Sequence, residues 1–230
     1  MRSIAGGLFA TLLLCLAVVA ARAEDVVVRG SASAGGRALV NRPAGPAVAA
    51  LVLLPGGDGR IGIGADGGLA SGANWIARTR GAYVASGIAS VLVDAGVPID
   101  VAIAHARTLS SRVVVVAMSR GATRVEGALD HRVDGVVFAS AVLDEARAGI
   151  GDPARLPPSL LVHHRQDLCA ASKPEMAAPF LAWAGGRARI VWIDGGTSQG
   201  NPCRPFVHHG FVGREPAVAE AIVAFATTLR

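Results

Sequence analysis

Ser119 is the residue of this sequence best placed to act as a nucleophile. It lies in Val113-Val114-Val115-Val116-Ala117-Met118-Ser119-Arg120-Gly121-Ala122, where a β-branched run breaks at S-x-G. A serine hydroxyl attacks a carbonyl only when it is held exposed beside a base and near donors for the developing oxyanion. A tight strand-to-helix turn provides the exposure, and the positions two before and two after the serine must then be small. Gly121 meets this at one position, and Ala117 meets it at the other with one extra methyl group. S-x-G after a strand also reads as a serine N-cap at an ordinary βα turn. What favours the nucleophile is the order of residues downstream.

Asp167 follows the run Ser159 to His163 in a short polar turn, where a tautomer-fixing carboxylate is expected. His209 comes after the last β-branched run and before the C-terminal helical stretch, in Val207-His208-His209-Gly210-Phe211. It is preferred over His208 as base and then acid, because the small Gly210 behind it lets the imidazole approach a serine. The oxyanion hole needs two backbone N–H groups. Arg120 supplies one, and Gly57 or Asp58, in the glycine turn Pro55-Gly56-Gly57-Asp58-Gly59, supplies the other. That turn is no phosphate cradle, since no G-K-[ST] follows it and G-x-G-x-x-G is absent.

Two cysteines flank these residues: Cys169 just after Asp167 and Cys203 shortly before His209. An even pair in an exported chain reads as a disulfide, which would tie the acid loop to the histidine loop; two separate buried thiols are the alternative. His163, His164, Asp167, Cys169, Cys203, His208 and His209 include the common zinc-ligand types, but their spacing fits no compact zinc motif. One of His163 and His164 is expected to point into the core and the other to line the site rim. No metal or organic cofactor is expected.

The elements that must position these residues alternate short β-branched runs with alanine-rich helical stretches, the pattern of a parallel sheet with crossover helices. Val26 to Val28 and Arg37 to Val40 read as a leading pair of strands. Further strands are expected at Ala49 to Leu54, Ile88 to Asp94, Val113 to Ala117, Val133 to Ala139, Ser159 to His163 and Arg189 to Ile193. Helices are expected over Trp75 to Ala85, Val101 to Leu109, from the serine turn to Leu129, over Lys173 to Ala184, and from Pro216 onward. The fold class is therefore α/β, with about eight mostly parallel strands and helices on both faces. Ser140 to Pro157 is too short for a lid domain, so the site should be open.

Before this domain, Arg2, the apolar run Ile4 to Ala20 and Ala21-Arg22-Ala23 have the form of a signal peptide. The run is short of the roughly 20 residues a membrane span needs. The expected organisation is a signal peptide over 1–23 and one domain over 24–230, periplasmic or secreted, with no stable membrane anchor after cleavage. The 22 basic and 17 acidic residues of the 230 are spread along the chain with no basic run, which argues against a nucleic-acid partner.

Over essentially the whole mature chain the sequence resembles the α/β-hydrolase superfamily. The resemblance is to small exported bacterial members with an S-R-G elbow, an H-H-x-x-D-x-C acid loop and a C-x5-H-G-F histidine loop. These read Ser119-Arg120-Gly121, His163-His164-Arg165-Gln166-Asp167-Leu168-Cys169, and Cys203 through His209-Gly210-Phe211. The resemblance implies a Ser119–His209–Asp167 triad on an α/β-hydrolase fold, cleaving an ester or similar small-molecule acyl substrate. It also places Asn74-Trp75-Ile76-Ala77-Arg78 near the site mouth. Ala117 departs from the usual first glycine of the elbow. Two other readings remain: a hydrolase-fold binding or scaffold protein with an idle triad, and a metal-dependent hydrolase.

Overall fold

The computed structural model describes residues 23–26 and 36–229. Residues 1–22, which carry nearly all of the expected signal peptide, lie outside the described residues, as do Val27 and Val28. Six of the strands are apolar runs buried on both faces: β2 (Ala38–Asn41), β3 (Ala49–Leu54), β4 (Ile88–Val93), β5 (Val113–Met118), β6 (Gly135–Ala139) and β7 (Ser159–His164). Such runs suit strands covered by helices on either side. The half-buried β8 (Ala188–Ile193) closes one edge, and short β1 (Ala23–Val26) lies at the other.

The sheet order is β1-β2-β4-β3-β5-β6-β7-β8. Pairing is antiparallel for β1–β2 and β2–β4 and parallel from β4 through β8. From β3 the chain first crosses to β4 on one side and then returns to β5 on the other. Strand order reverses at that point, so a crevice opens between the C-terminal ends of β3 and β5. Leu54 pairs with Ala117, bringing the Gly56-Gly57 turn and Ser119 out of the sheet side by side.

Successive side chains along a strand point to opposite faces, and the core splits accordingly. Ala50, Val52, Leu54, Val115 and Ala117 pack with α2 (Ile99–Leu109), α3 (Val125–Leu129), α4 (Leu143–Ile150) and α5 (Ala177–Ala184). Leu51, Leu53, Val114, Val116 and Met118 pack with α1 (Trp75–Arg78) and α6 (Glu215–Thr228). The segment between β6 and β7 is spent on α4, whose Leu143, Ala146 and Ile150 are buried in the core, so it forms no lid.

Several elements differ from the sequence reading, α4 among them, since no helix was expected between Ser140 and Pro157. The helix expected over Trp75 to Ala85 is one turn long, followed by turns and a 3-10 segment at Val84–Ser86. The Thr79 hydroxyl donates to the Trp75 carbonyl, and the Ala82 N–H bonds to Thr79, replacing the helical ladder with a turn. The helix after Ser119 begins as a 3-10 segment, Ser119–Arg124, before α3.

Candidate active site

The strand β5 stops because Ser119 adopts φ 50°, in the left-handed region that non-glycine residues rarely visit. Such a conformation costs on the order of 1–3 kcal/mol and persists only where the surroundings enforce it. Here the surroundings are backbone. A Cβ on Gly121 would lie 2.5 Å from the Leu54 carbonyl oxygen and 2.6 Å from that of Pro55. A Cβ on Gly56 would lie 2.8 Å from that of Ser119. Ala117 points instead into the α2–α5 side of the core, where its methyl group is packed. The crowding falls on Gly121, so alanine fits at the first elbow position.

Ser119 and His209 line one cleft of about 500 Å³, with Gly56, Gly57 and Asn74 among its walls. His209 is buried, and its Nδ1–H points at Asp167 Oδ2, 2.9 Å away. With Nδ1 committed, Nε2 is the nitrogen left to act on a cleft hydroxyl. Among the described residues no hydrogen bond joins it to Ser119 Oγ; such contacts commonly tighten only with substrate present.

Asp167 is 3% exposed and fully partnered. Its Oδ1 accepts from the Cys169 N–H at 2.9 Å, and its Oδ2 accepts from His209 and from the Ser172 hydroxyl, also at 2.9 Å. Burial pushes the Asp167 carboxyl up, but the hydrogen bond and charge of His209, with Cys169 and Ser172, outweigh it and hold the group below its usual range. It therefore remains a carboxylate that can stabilise an imidazolium.

Ser172 is a member of this cluster that sequence reasoning missed. Its Oγ lies 2.9 Å from both Asp167 Oδ2 and His209 Nδ1, and its carbonyl accepts from His163 Nε2–H at 2.8 Å. A turn closed by Ser172 N–H on the Cys169 carbonyl brings the hydroxyl round to the carboxylate. No motif marks this, because the serine's role depends on how the loop folds back. Ser172 is 1% exposed, meets His209 at its Nδ1 edge and is not itself among the residues that line the cleft. It therefore braces the pair from behind.

Cys169 and Cys203 form a disulfide, and Cys203 lines the cleft. The bond joins the Asp167 loop to the segment leading into His209. Arg78 ties the same segment from another side. Its guanidinium donates to the carbonyls of Ala73, Pro205 and Gly210 and pairs with Glu215 at 2.8 Å. Trp75 packs edge-on against Phe211, ring centroids 5.3 Å apart. The Asn74-to-Arg78 segment is thus a clamp on the histidine loop, with Asn74 at the cleft wall.

The need for glycine at position 210 has a different cause from the one expected. A Cβ there would fall 1.9 Å from the Pro205 carbonyl oxygen, so it is loop packing that requires glycine. His163 and His164 also differ from expectation, because both are buried and neither lines the cleft. His164 accepts from Gln166 N–H at Nδ1 and donates from Nε2 to Gly195, which makes it a neutral imidazole. Burial lowers the tendency of both to protonate. His208 stacks on His164 at 4.1 Å and donates to the Gln166 carbonyl, so it is His209 that meets Asp167. Among the described residues no group of three or more His, Cys, Asp or Glu is arranged to hold a metal ion.

On the opposite wall, Gly57 lines the cleft, whereas Asp58 lines a neighbouring hollow with Ala95 and Arg124 and pairs with Arg60. Arg120 follows Ser119 at the start of the 3-10 segment, where N–H groups have no intrahelical partner. The stretch that follows the glycine turn is held by Asp94, just after β4, whose carboxylate accepts from the N–H groups of Ile61, Gly62 and Ile63. Among the described residues no helix is long and apolar enough to cross a membrane.

No family model matches the chain, and no curated protein matches it in sequence. Solved structures do match in shape. A dienelactone hydrolase from Anabaena variabilis superposes with TM-score 0.65 at 16% identity, covering 91% of this chain and 99% of the other. The esterase domain of a Rhodothermus marinus protein gives 0.65 at 14% identity over 90% and 99%. An alpha-beta serine hydrolase homologue from Coxiella burnetii gives 0.62 at 15% identity over 88% and 96%. The sheet order, the elbow at β5 and these likenesses together establish that the chain has the α/β-hydrolase fold.

Proposed function

We propose that the chain is a serine hydrolase that cleaves a small ester or similar acyl substrate through an acyl-enzyme. The observation that carries this reading is Ser119, on a backbone-enforced elbow, in the same cleft as a histidine whose Nδ1 is held by a buried carboxylate. His209 Nε2 takes the hydroxyl proton as Ser119 Oγ attacks the carbonyl carbon. The N–H groups of Arg120 and Gly57 receive the oxyanion. The tetrahedral adduct then collapses, and the imidazolium returns the proton to the leaving alkoxide. Water repeats the sequence in reverse, freeing the acid and Ser119. The esterase and serine hydrolase names of the structural neighbours support this chemistry at the level of fold.

A fluorophosphonate probe tests the assignment. Labelling of the wild type that disappears in Ser119→Ala and survives in Ser172→Ala supports it. Labelling retained in Ser119→Ala but lost in Ser172→Ala would transfer the nucleophile to the buried serine. No labelling of the wild type would favour the idle-triad reading.

Export is part of the same proposal. It is supported by the apolar N-terminal run and by a disulfide that an oxidising compartment would preserve. Sequencing the N-terminus of chain recovered from the periplasm or medium checks it; the expected first residue is Glu24.

A further inference from the structure

We propose that the preferred substrate is an ester carrying a carboxylate of its own, held at the cleft mouth by Arg204 and Arg60; the inference rests on the hydrolase reading above. Among the described residues, the only formally charged side chains lining the Ser119–His209 cleft are these two arginines, which come from different loops, and no carboxylate lines it.

Several arginines outside the cleft are neutralised at short range. Arg78 pairs with Glu215, Arg107 with Asp134 and Arg155 with Asp130, all at 2.8–2.9 Å. Arg204 is not among these: its guanidinium makes no ion pair or hydrogen bond among the described residues, and unlike the other arginines in that state it lines the cleft. Its backbone is nonetheless fixed. It sits between Cys203 of the disulfide and Pro205, against whose carbonyl Gly210 is packed, and its N–H bonds to Asn201. Arg60 has only Asp58 at 3.4 Å, and both of those side chains are largely exposed.

An unpaired guanidinium on a fixed backbone is a ready partner for a planar carboxylate, which it can engage through two parallel N–H···O bonds. A cleft of one sign also concentrates anions before they bind. Two cations over a neutral floor containing Ser71 and Asn74 therefore favour an anionic ester over its neutral counterpart.

The test compares kcat/KM within two matched pairs on the full chain. Mono-4-nitrophenyl adipate against 4-nitrophenyl hexanoate places the carboxylate on the acyl side. 4-Acetoxybenzoate against phenyl acetate places it on the alcohol side. Each ratio is divided by the ratio for alkaline hydrolysis, to remove intrinsic reactivity.

In at least one pair the anionic ester is expected to be preferred by about tenfold, the order of one good charge contact. The preference should fall at least about threefold in the Arg60→Gln/Arg204→Gln double variant, and again as salt rises from about 20 mM to about 500 mM. It should persist in Arg155→Gln, which removes the same charge away from the cleft lining. Absence of preference in both pairs, or a preference that the double variant keeps, overturns the proposal while neutral-ester turnover leaves the hydrolase reading standing. No turnover of any of the four esters, with no labelling of Ser119, overturns both.

Discussion

The two halves of the candidate site are held by different forces. The Ser119 side is built from backbone: adjacent parallel strands, a glycine that must be a glycine, and a turn enforced by the carbonyls of Leu54 and Pro55. The Asp167–His209 side is built from side chains and one covalent bond, joining loops that the sheet alone does not fix. A serine positioned by the sheet is displaced only with the fold. A histidine–carboxylate pair positioned by loops can be loosened while the fold survives.

The largest effect that sharpens this contrast belongs to Asp167→Asn. The amide has one acceptor oxygen and cannot serve the Cys169 N–H on one side and the Ser172 hydroxyl and His209 Nδ1–H on the other, as the two carboxylate oxygens do, so the imidazole tautomer is no longer specified. kcat/KM should fall by about 10³–10⁴-fold. Fluorescence-monitored melting should show a native transition that persists. An activity within tenfold of wild type would remove Asp167 from the mechanism.

Next is the disulfide. Replacing both Cys169 and Cys203 by serine releases a link across 34 residues, worth about 3–4 kcal/mol in the chain-entropy picture. The melting temperature should drop, and kcat should fall at temperatures where the chain is still folded, because Cys169 N–H also holds Asp167 Oδ1. If kcat per folded molecule stays unchanged, the bond acts on stability alone and the two halves are less different than argued.

The elbow offers the opposite test. Gly121→Ala puts a methyl group 2.5 Å from a strand carbonyl, which must force the turn open at a cost of about 3 kcal/mol. Stability and probe labelling should fall together, whereas acid-side variants lose activity out of proportion to stability. A Gly121→Ala protein with normal melting and no labelling would break the comparison.

What the sequence revealed divides along the same line. The turn at Ser119, the meeting of Asp167 with His209 and the disulfide were legible because chain order carries them: a strand ends, a turn follows, and each residue type sits at its turn. Ser172 and Asp94 were not legible as site residues, and Arg78 was legible only as part of a segment near the site mouth, without its role. Each acts through contacts set by folding, such as Arg78 on Gly210, 132 positions away. The short α1 and the burial of His164 belong to the same class, since a local hydroxyl bond and a stacked His208 decide them. Gly210 was rightly singled out on a mistaken ground, because its neighbour Pro205 is invisible to spacing alone.

Ser172→Ala is a smaller, more local perturbation of the side-chain half. It removes a donor to Asp167 and a partner of His209 while leaving both in place. A loss of about tenfold in kcat with little change in KM is expected, consistent with one hydrogen bond to a charged group. Because Ser172 is a positioning residue, Ser172→Thr should recover part of the loss. An effect on KM alone would place its influence on substrate binding.

The smallest effect concerns the pH dependence of stability. Burial holds His163 below the ordinary histidine pKa of about 6.5, although Asp167 lies 3.6 Å away, and its Nε2–H is bound to the Ser172 carbonyl. The unfolded chain therefore binds a proton at this position at a higher pH than the folded chain does. Stability from this source is complete above about pH 6.5 and is lost as pH falls through that value toward the depressed native pKa. The ceiling for one such group is about 1.4 kcal/mol per pH unit. His164 shifts in the same direction, so wild-type melting temperature should decline between about pH 7 and pH 5, and His163→Asn should reduce that slope without abolishing it. Melting curves across this range read the difference directly. A variant slope steeper than wild type would mean that His163 is protonated in the fold and paired with Asp167, making the buried half of the site an ion cluster in place of a neutral brace.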